Sequence, residues 1–224
     1  MATGILYIVG TPIGNRQDIT LRALSTLKQV NRIACEDTRV TQKLLAFFEI
    51  KKPLLSFHQH SKKLRFDQII LALESGENIA LVTDAGTPGI SDPGNLLVEA
   101  AVKKGIAVIP IPGASALTTL ASVAGIDLQH FAFWGFPPHK KGREKFFKEI
   151  LALNFPVMYF ESPHRVIKNL ELLEKFSAEK NVILGREITK MFEEIVRGKV
   201  GEVLKYFKEN KDKVKGEFVI IVYK

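Results

Sequence analysis

With 224 residues, 46% of them hydrophobic and 25% charged, the chain has the balance of a soluble globular protein of one large domain or two small ones. Its apolar runs fall well short of the roughly 20 residues that cross a bilayer. The start, MATGILYIVG, reads as a strand rather than a secretory signal, and the single Cys35 excludes a disulfide framework or a cysteine zinc site, so a reducing cytoplasm is expected, with that thiol in the core and no resident metal. The net charge of +8 lies mostly in residues 139–224, densest at His139-Lys140-Lys141-Gly142-Arg143, a cluster that suits either a polyanion such as RNA or a plain solvated face.

Ile5–Val9 predicts a first strand, and Gly10-Thr11-Pro12-Ile13-Gly14-Asn15 a turn after it. Asp18 or Thr20 caps a helix whose Leu21, Leu24 and Leu27 share a face. Arg32–Cys35 is a second strand ending in Glu36-Asp37-Thr38-Arg39, followed by a helix bearing Leu44, Leu45, Phe47 and Phe48. Leu54–Phe57 is a third strand that delivers His58 and His60 to its end. Those two point to opposite faces of an extended segment, which argues against shared metal ligation and for a polar role at a cleft rim. A helix with Phe66, Ile69, Ile70 and Leu73 stops at Gly76.

The stretch Asn78–Pro93, NIALVTDAGTPGISDP, organises the rest. Ile79–Thr83 is short, apolar and β-branched, as a strand buried on both faces should be. Asp84-Ala85-Gly86-Thr87-Pro88-Gly89 lets the backbone turn and approach a ligand, and Asp92 and Pro93 read as N-cap and first position of the next helix. That helix carries Leu96, Leu97, Ala100 and Ala101. Ile106–Ile109 is a fifth strand, with Pro112-Gly113-Ala114-Ser115-Ala116 opening a small-residue helix. Strand and helix thus alternate through residues 1–124, predicting a parallel five-stranded sheet with helices on both faces. The turns after strands one, four and five fall on one sheet edge and should converge on one cleft.

Ala124-Gly125-Ile126-Asp127 reads as a linker into a second α/β domain, 125–224, with a mixed sheet and helices. Its strands are expected at Phe131–Phe136, Val157–Phe160, Val182–Arg186, Glu194–Arg197 and Phe218–Tyr223, with a basic helix at 143–153 and another carrying Val166, Ile167, Leu170 and Leu173. The first loop is Gly-x-x-x-Gly and there is no Gly-Lys-Ser/Thr, so dinucleotide and nucleoside-triphosphate sites are poorly supported. The absence of His-Glu-x-x-His and Gly-x-Ser-x-Gly likewise excludes metalloprotease and α/β-hydrolase chemistry.

Val9–Asn15, Asp84–Pro93 and Pro112–Ala116 resemble the three loops of the tetrapyrrole methylase superfamily. Glu36–Arg39, Thr83–Gly94, Phe160-Glu161-Ser162-Pro163-His164-Arg165 and Arg186–Lys190 resemble, within it, a branch that methylates the ribose 2′-oxygen of a cytidine in the 16S rRNA decoding region. The resemblance runs nearly end to end and implies a two-domain tetrapyrrole methylase-like fold, S-adenosylmethionine as methyl donor in a cleft between the domains, and a homodimer acting on 16S rRNA or the small ribosomal subunit. That branch commonly adds a small helical segment after the strand matching Gly216–Tyr223, whereas this sequence stops at Lys224, which is expected to alter RNA engagement rather than the cofactor cleft.

By position, the resemblance puts Pro12 and Ile13 near the cofactor, lines it with Ala85, Gly86, Thr87 and Ile90, and adds Ser115, Ala116, Phe160 and Glu187. A sulfonium cation is also favoured near Asp84 or Asp92. Asp37 and Glu161, each just past a strand end, are candidate bases for the ribose hydroxyl. Ion pairing with Arg39 and Arg165 is their equally weighted alternative. Charge clustering and the resemblance together assign Arg39, Lys140, Lys141, Arg143 and Arg165 to RNA phosphates. Two other functions share these features: a C-methyltransferase of a precorrin or uroporphyrinogen, and a non-catalytic RNA-binding assembly protein.

Overall fold

The computed structural model describes residues 3–57, 63–92 and 94–224. His58, His60 and Pro93, to which roles were assigned above, lie outside the described residues. Two compact units divide the chain, Met1–Ser115 and Ala116–Lys224.

The first unit is built on five parallel strands, β1 (Ile5–Val9), β2 (Arg32–Cys35), β3 (Leu54–Ser56), β4 (Ile79–Val82) and β5 (Ala107–Ile111), in the order β3-β2-β4-β1-β5. Every residue of β4 is buried, which explains its unbroken apolar run. Four helices cover the two faces: α1 (Leu21–Gln29), α2 (Thr38–Phe47), α3 (Lys63–Glu74) and α4 (Gly94–Lys103). On one face Leu6, Ala34, Ile79 and Leu81 pack with Ile69, Ile70 and Leu73 of α3 and Leu97 and Ala101 of α4. On the other, Val9, Ile33, Cys35, Ala80 and Val82 pack with Ala23 and Leu27 of α1 and Leu45 of α2. Thr20 is the cap of α1, its hydroxyl accepting from the Ala23 N–H at 3.0 Å.

The fifth strand runs two residues beyond its expected end and includes Pro110. Proline lacks the ladder N–H, and β5 tolerates it because it is an edge strand.

The second unit opens with α5 (Ala116–Ser122), followed by β6 (Ala132–Phe133), α6 (Arg143–Ala152), β7 (Val157–Glu161), α7 (Val166–Phe176), β8 (Asn181–Arg186), β9 (Glu194–Lys199), α8 (Val200–Glu209) and β10 (Phe218–Tyr223). Its sheet has the order β6-β7-β10-β8-β9, with β6 parallel to β7 and the other neighbours antiparallel, so it is mixed as expected. One face is closed by α6, α7 and α8, whose Phe147, Leu170 and Phe207 meet Tyr159, Leu184 and Ile220. The other face receives α5: a Cβ placed on Gly185 of β8 would sit 2.9 Å from Leu120 Cδ1. This packing puts α5 in the second unit, so the division falls at Ser115/Ala116 rather than at Ala124. No helix is expected at α8 from the reading above, although Val200, Val203, Leu204 and Phe207 form a helical stripe, because Gly198 and Gly201 obscure its start.

Candidate active site

In the first unit β4, β1 and β5 are adjacent, so the loops that follow them emerge side by side. Hydrogen bonds stitch the three together. Gly10 N–H donates to Ile111 O at 2.9 Å, and Thr11 N–H donates to Gly86 O at 2.9 Å. The Thr11 hydroxyl lies 3.2 Å from both Thr83 O and Gly86 O, and the Thr87 hydroxyl donates to Ala114 O at 3.3 Å. Gly10 and Gly113 touch backbone to backbone: a Cβ on Gly10 would lie 2.7 Å from Gly113 Cα. Gly86 and Gly89 have φ of 83° and 108°, the left-handed region that glycine enters without a Cβ penalty.

This cradle gathers Pro12, Ile13, Asp84, Ala85, Gly86, Thr87 and Ser115. Pro12 and Ile13 are buried beneath it, while Asp84, Ala85 and Ile90 are exposed on it. Asp84 is held from behind, since Asp37 N–H donates to its Oδ1 at 3.0 Å. Burial, and then the charge of Asp84, push the Asp92 carboxyl above the usual range. Asp92 precedes the first residue of α4, Gly94, by two positions.

The carboxylate of Asp37 caps α2, accepting from Arg39 N–H at 2.8 Å, and pairs with the Arg39 guanidinium at 2.6 Å. Those two contacts hold its pKa down to about 2. Such a group stays ionised but is a feeble base. Arg39, though exposed, has its guanidinium engaged on Asp37.

In the second unit β7 and β8 flank β10, and Glu161 and Arg186 are both in register with Phe218. Phe160, Glu161 and Glu187 therefore collect at one edge of that sheet, while Ala116 opens α5. Phe160 meets Phe133 edge-on and Phe136 at a tilt, at centroid separations of 4.9 and 5.3 Å. Those two partners escaped the sequence analysis, although the run Phe131–Phe136 carries four aromatics that an exposed strand has little use for.

The Glu161 side chain has no exposed area. It accepts from Ser162 N–H at 2.7 Å and from the Asn169 amide, and pairs with Arg165 Nε at 3.1 Å. Its geometry is that of an anchor for the Ser162–Arg165 turn rather than of a base open to substrate. Arg165 is similarly enclosed, donating to Pro137 O at 2.8 Å and to Ser162 Oγ at 2.9 Å, so it is not presented to a phosphate. Arg143 turns back onto the carbonyls of Pro138 and His139. Lys140 and Lys141 are exposed.

Glu187 sits at φ 50° and caps the turn before β10: its Oε1 accepts from Glu217 N–H at 2.9 Å and from Lys190 Nζ at 2.9 Å. Burial raises its pKa, but the Lys190 bond and the Glu217 N–H outweigh burial and leave it lowered.

The stitched strand-end loops of the first unit and the mixed sheet of the second belong to a two-unit α/β fold. The chain belongs to the family of tetrapyrrole (corrin/porphyrin) methylases, whose model matches residues 5–204. Its similar relatives are named ribosomal RNA small subunit methyltransferase I. The Bacillus subtilis protein is 44% identical over 222 residues, covering 98% of this chain and 75% of the relative. The Thermotoga maritima protein is 44% identical over 219 residues, covering 98% of each. Among solved structures, cobalt precorrin-4 methyltransferase superposes with a TM-score of 0.69 at 18% identity, covering 97% of this chain and 94% of that one. Uroporphyrin-III C-methyltransferase of Thermus thermophilus gives 0.67 at 19%, covering 98% and 94%. These two show the shared fold. Among the described residues no helix is long and apolar enough to cross a membrane.

Proposed function

We propose that the chain transfers the methyl group of S-adenosylmethionine to the ribose 2′-oxygen of a cytidine in the decoding region of 16S rRNA. The observation that carries this is the stitched cradle with its exposed Asp84, in a chain 44% identical along nearly its whole length to proteins named as methyltransferases of small-subunit ribosomal RNA.

The cradle fits such a donor. It offers closely approached backbone instead of a phosphate-binding glycine loop, and the donor carries no phosphate. Burial and, after it, the charge of Asp84 raise the pKa of Asp92, and a sulfonium cation beside the two carboxylates would favour their ionised forms. Pro12, Ile13, Ala85, Gly86, Thr87, Ile90 and Ser115 would hold the donor in the first unit. When bound, it supplies an electrophilic methyl group. The donor would supply that group in line to the ribose oxygen and leave as the neutral thioether, while the hydroxyl proton would pass to solvent at the exposed rim. Positioning supplies most of the acceleration. Asp37, with a pKa of about 2, orients the hydroxyl as a hydrogen-bond acceptor. The exposed Lys140 and Lys141 would meet RNA phosphates, the enzyme would act as a cytoplasmic homodimer, and the RNA or the small subunit would be its partner.

The test is radiolabelled methyl transfer to small-subunit RNA and to whole subunits, followed by nucleoside analysis. Label in 2′-O-methylcytidine is expected. Label only in an added porphyrinogen, or none despite bound donor, overturns the proposal in favour of tetrapyrrole methylation or of an inert RNA-binding protein.

A further inference from the structure

Beside the cradle, and within the first unit, lies a separate cavity of about 230 Å³. It is framed by Gly14 and Arg16 from the loop after β1, by Val40, Lys43 and Leu44 of α2, and by Asp84 at the end of β4. Val40 and Leu44 are spaced i, i+4, and with Phe47 they form one stripe along α2. That stripe is wet: Val40 is 41% exposed and Phe47 55%. The flank already stacks a flat cation, the Arg16 guanidinium lying 4.6 Å from the Phe47 ring centroid. Among the described residues, neither Arg16 nor Lys43 is held in an ion pair. An apolar wall, two basic groups without carboxylate partners and one exposed carboxylate therefore surround one small cavity.

We infer that this cavity receives a single unstacked nucleotide of an RNA strand, with its base against Val40 and Leu44, its ribose at Asp84 and its flanking phosphates on Arg16 and Lys43. This rests on the proposed function and names the acceptor site for it. The size selects the mode of binding. Sites for drug-sized ligands run to roughly 300–1,000 Å³, so a cavity of about 230 Å³ takes a base with its sugar and leaves the phosphates outside, where the two cations stand. A base read this way must leave its stack, which single-stranded or looped RNA allows at least cost. Asp84 links the two sites: it is shared by the cavity and the cradle, so a ribose hydroxyl beside it is brought to the donor side.

Two variants test this with the full-length chain. Val40→Trp fills the cavity from an exposed position. It should lower methyl transfer to subsaturating small-subunit RNA at least tenfold, with calorimetric affinity for S-adenosylmethionine within twofold of wild type. Arg16→Ala with Lys43→Ala should raise the KM for RNA more than it lowers kcat. Each cation lost should also flatten the log–log salt dependence of affinity for a single strand by about 0.7, so by about 1.4 for the pair. Normal turnover by Val40→Trp in a wild-type background that methylates RNA, or an unchanged salt slope in the double variant, overturns the cavity while leaving the proposed function standing. A wild type that methylates neither small-subunit RNA nor whole subunits overturns both.

Discussion

Replacing Gly113 by alanine probes the join on which the cradle depends. The new Cβ would lie 2.8 Å from the Gly10 Cα, C and O atoms, against the roughly 3.5–4.0 Å at which carbon atoms rest comfortably. These are backbone atoms, so no flexible side chain can yield, and the β1 and β5 ends must part by close to an ångström. That movement strains the Gly10 N–H to Ile111 O bond, now 2.9 Å, and the Thr87 bond to Ala114 O, now 3.3 Å. Overpacking of this kind costs about 1–3 kcal/mol, and a weakened hydrogen bond adds about 1 kcal/mol. The expected outcome is a thermal midpoint lower by roughly 4–16 °C in a circular dichroism melt. Calorimetry should show affinity for S-adenosylmethionine at least tenfold weaker, because about 1.4 kcal/mol corresponds to each factor of ten. A Gly113→Ala protein with wild-type midpoint and donor affinity within twofold would refute the view that backbone contact sets the cradle.

Glu161→Gln should act first on folding: removing one partner of a buried pair costs about 3–5 kcal/mol, so thermal melts should show a large loss, and an unshifted midpoint with turnover alone abolished would restore Glu161 as a base. For Asp37 the folded pKa of about 2 lies below the ordinary aspartate value of about 3.9, so the stability it lends is complete above about pH 4 and is lost as pH falls through about 2. Carboxyl NMR titration should therefore find Asp37 ionised at pH 4, and a midpoint near 4 or above would contradict its pairing with Arg39. The Cys35 thiol, fully buried and raised in pKa chiefly by that burial, should resist iodoacetamide at pH 8 in the native protein and react once it is unfolded. Stoichiometric labelling of the native chain would show that the α2 side of the core opens. Lys140→Ala with Lys141→Ala should flatten the salt dependence of RNA affinity, whereas Arg143→Ala should instead loosen the turn it holds through Pro138 and His139. Equal slopes in wild type and double variant would return the two lysines to plain surface.

Much of the fold was legible because each half carries its own local signals. Short apolar runs rich in β-branched residues marked β1, β2, β4 and β10 almost to the residue, and of the two candidate caps, Asp18 and Thr20, it is Thr20 that starts α1. Convergence of the Gly10, Gly86 and Gly113 loops was legible too, since turns after parallel strands share an edge and small residues allow them to touch. What could not be read was what a carboxylate or guanidinium does once side chains from distant segments meet it. Glu161 and Arg165 look like an acid and a cation just past a strand. Their burial against Asn169 and Pro137 makes them braces. Arg16 and Lys43 showed nothing as residues 27 positions apart, and only the packing of α2 beside the first loop brings them to one cavity.

The sequence by itself determined the layering, the strand-end loops and the positive charge of the second half, because hydrophobic period, turn chemistry and composition are local properties of the chain. Only the tertiary structure decided the strand order that makes β4, β1 and β5 neighbours, the transfer of α5 to the second unit, and which charged groups are paired and which are left free. Those depend on contacts between residues tens of positions apart, where burial and partner geometry, rather than residue type, set the energy.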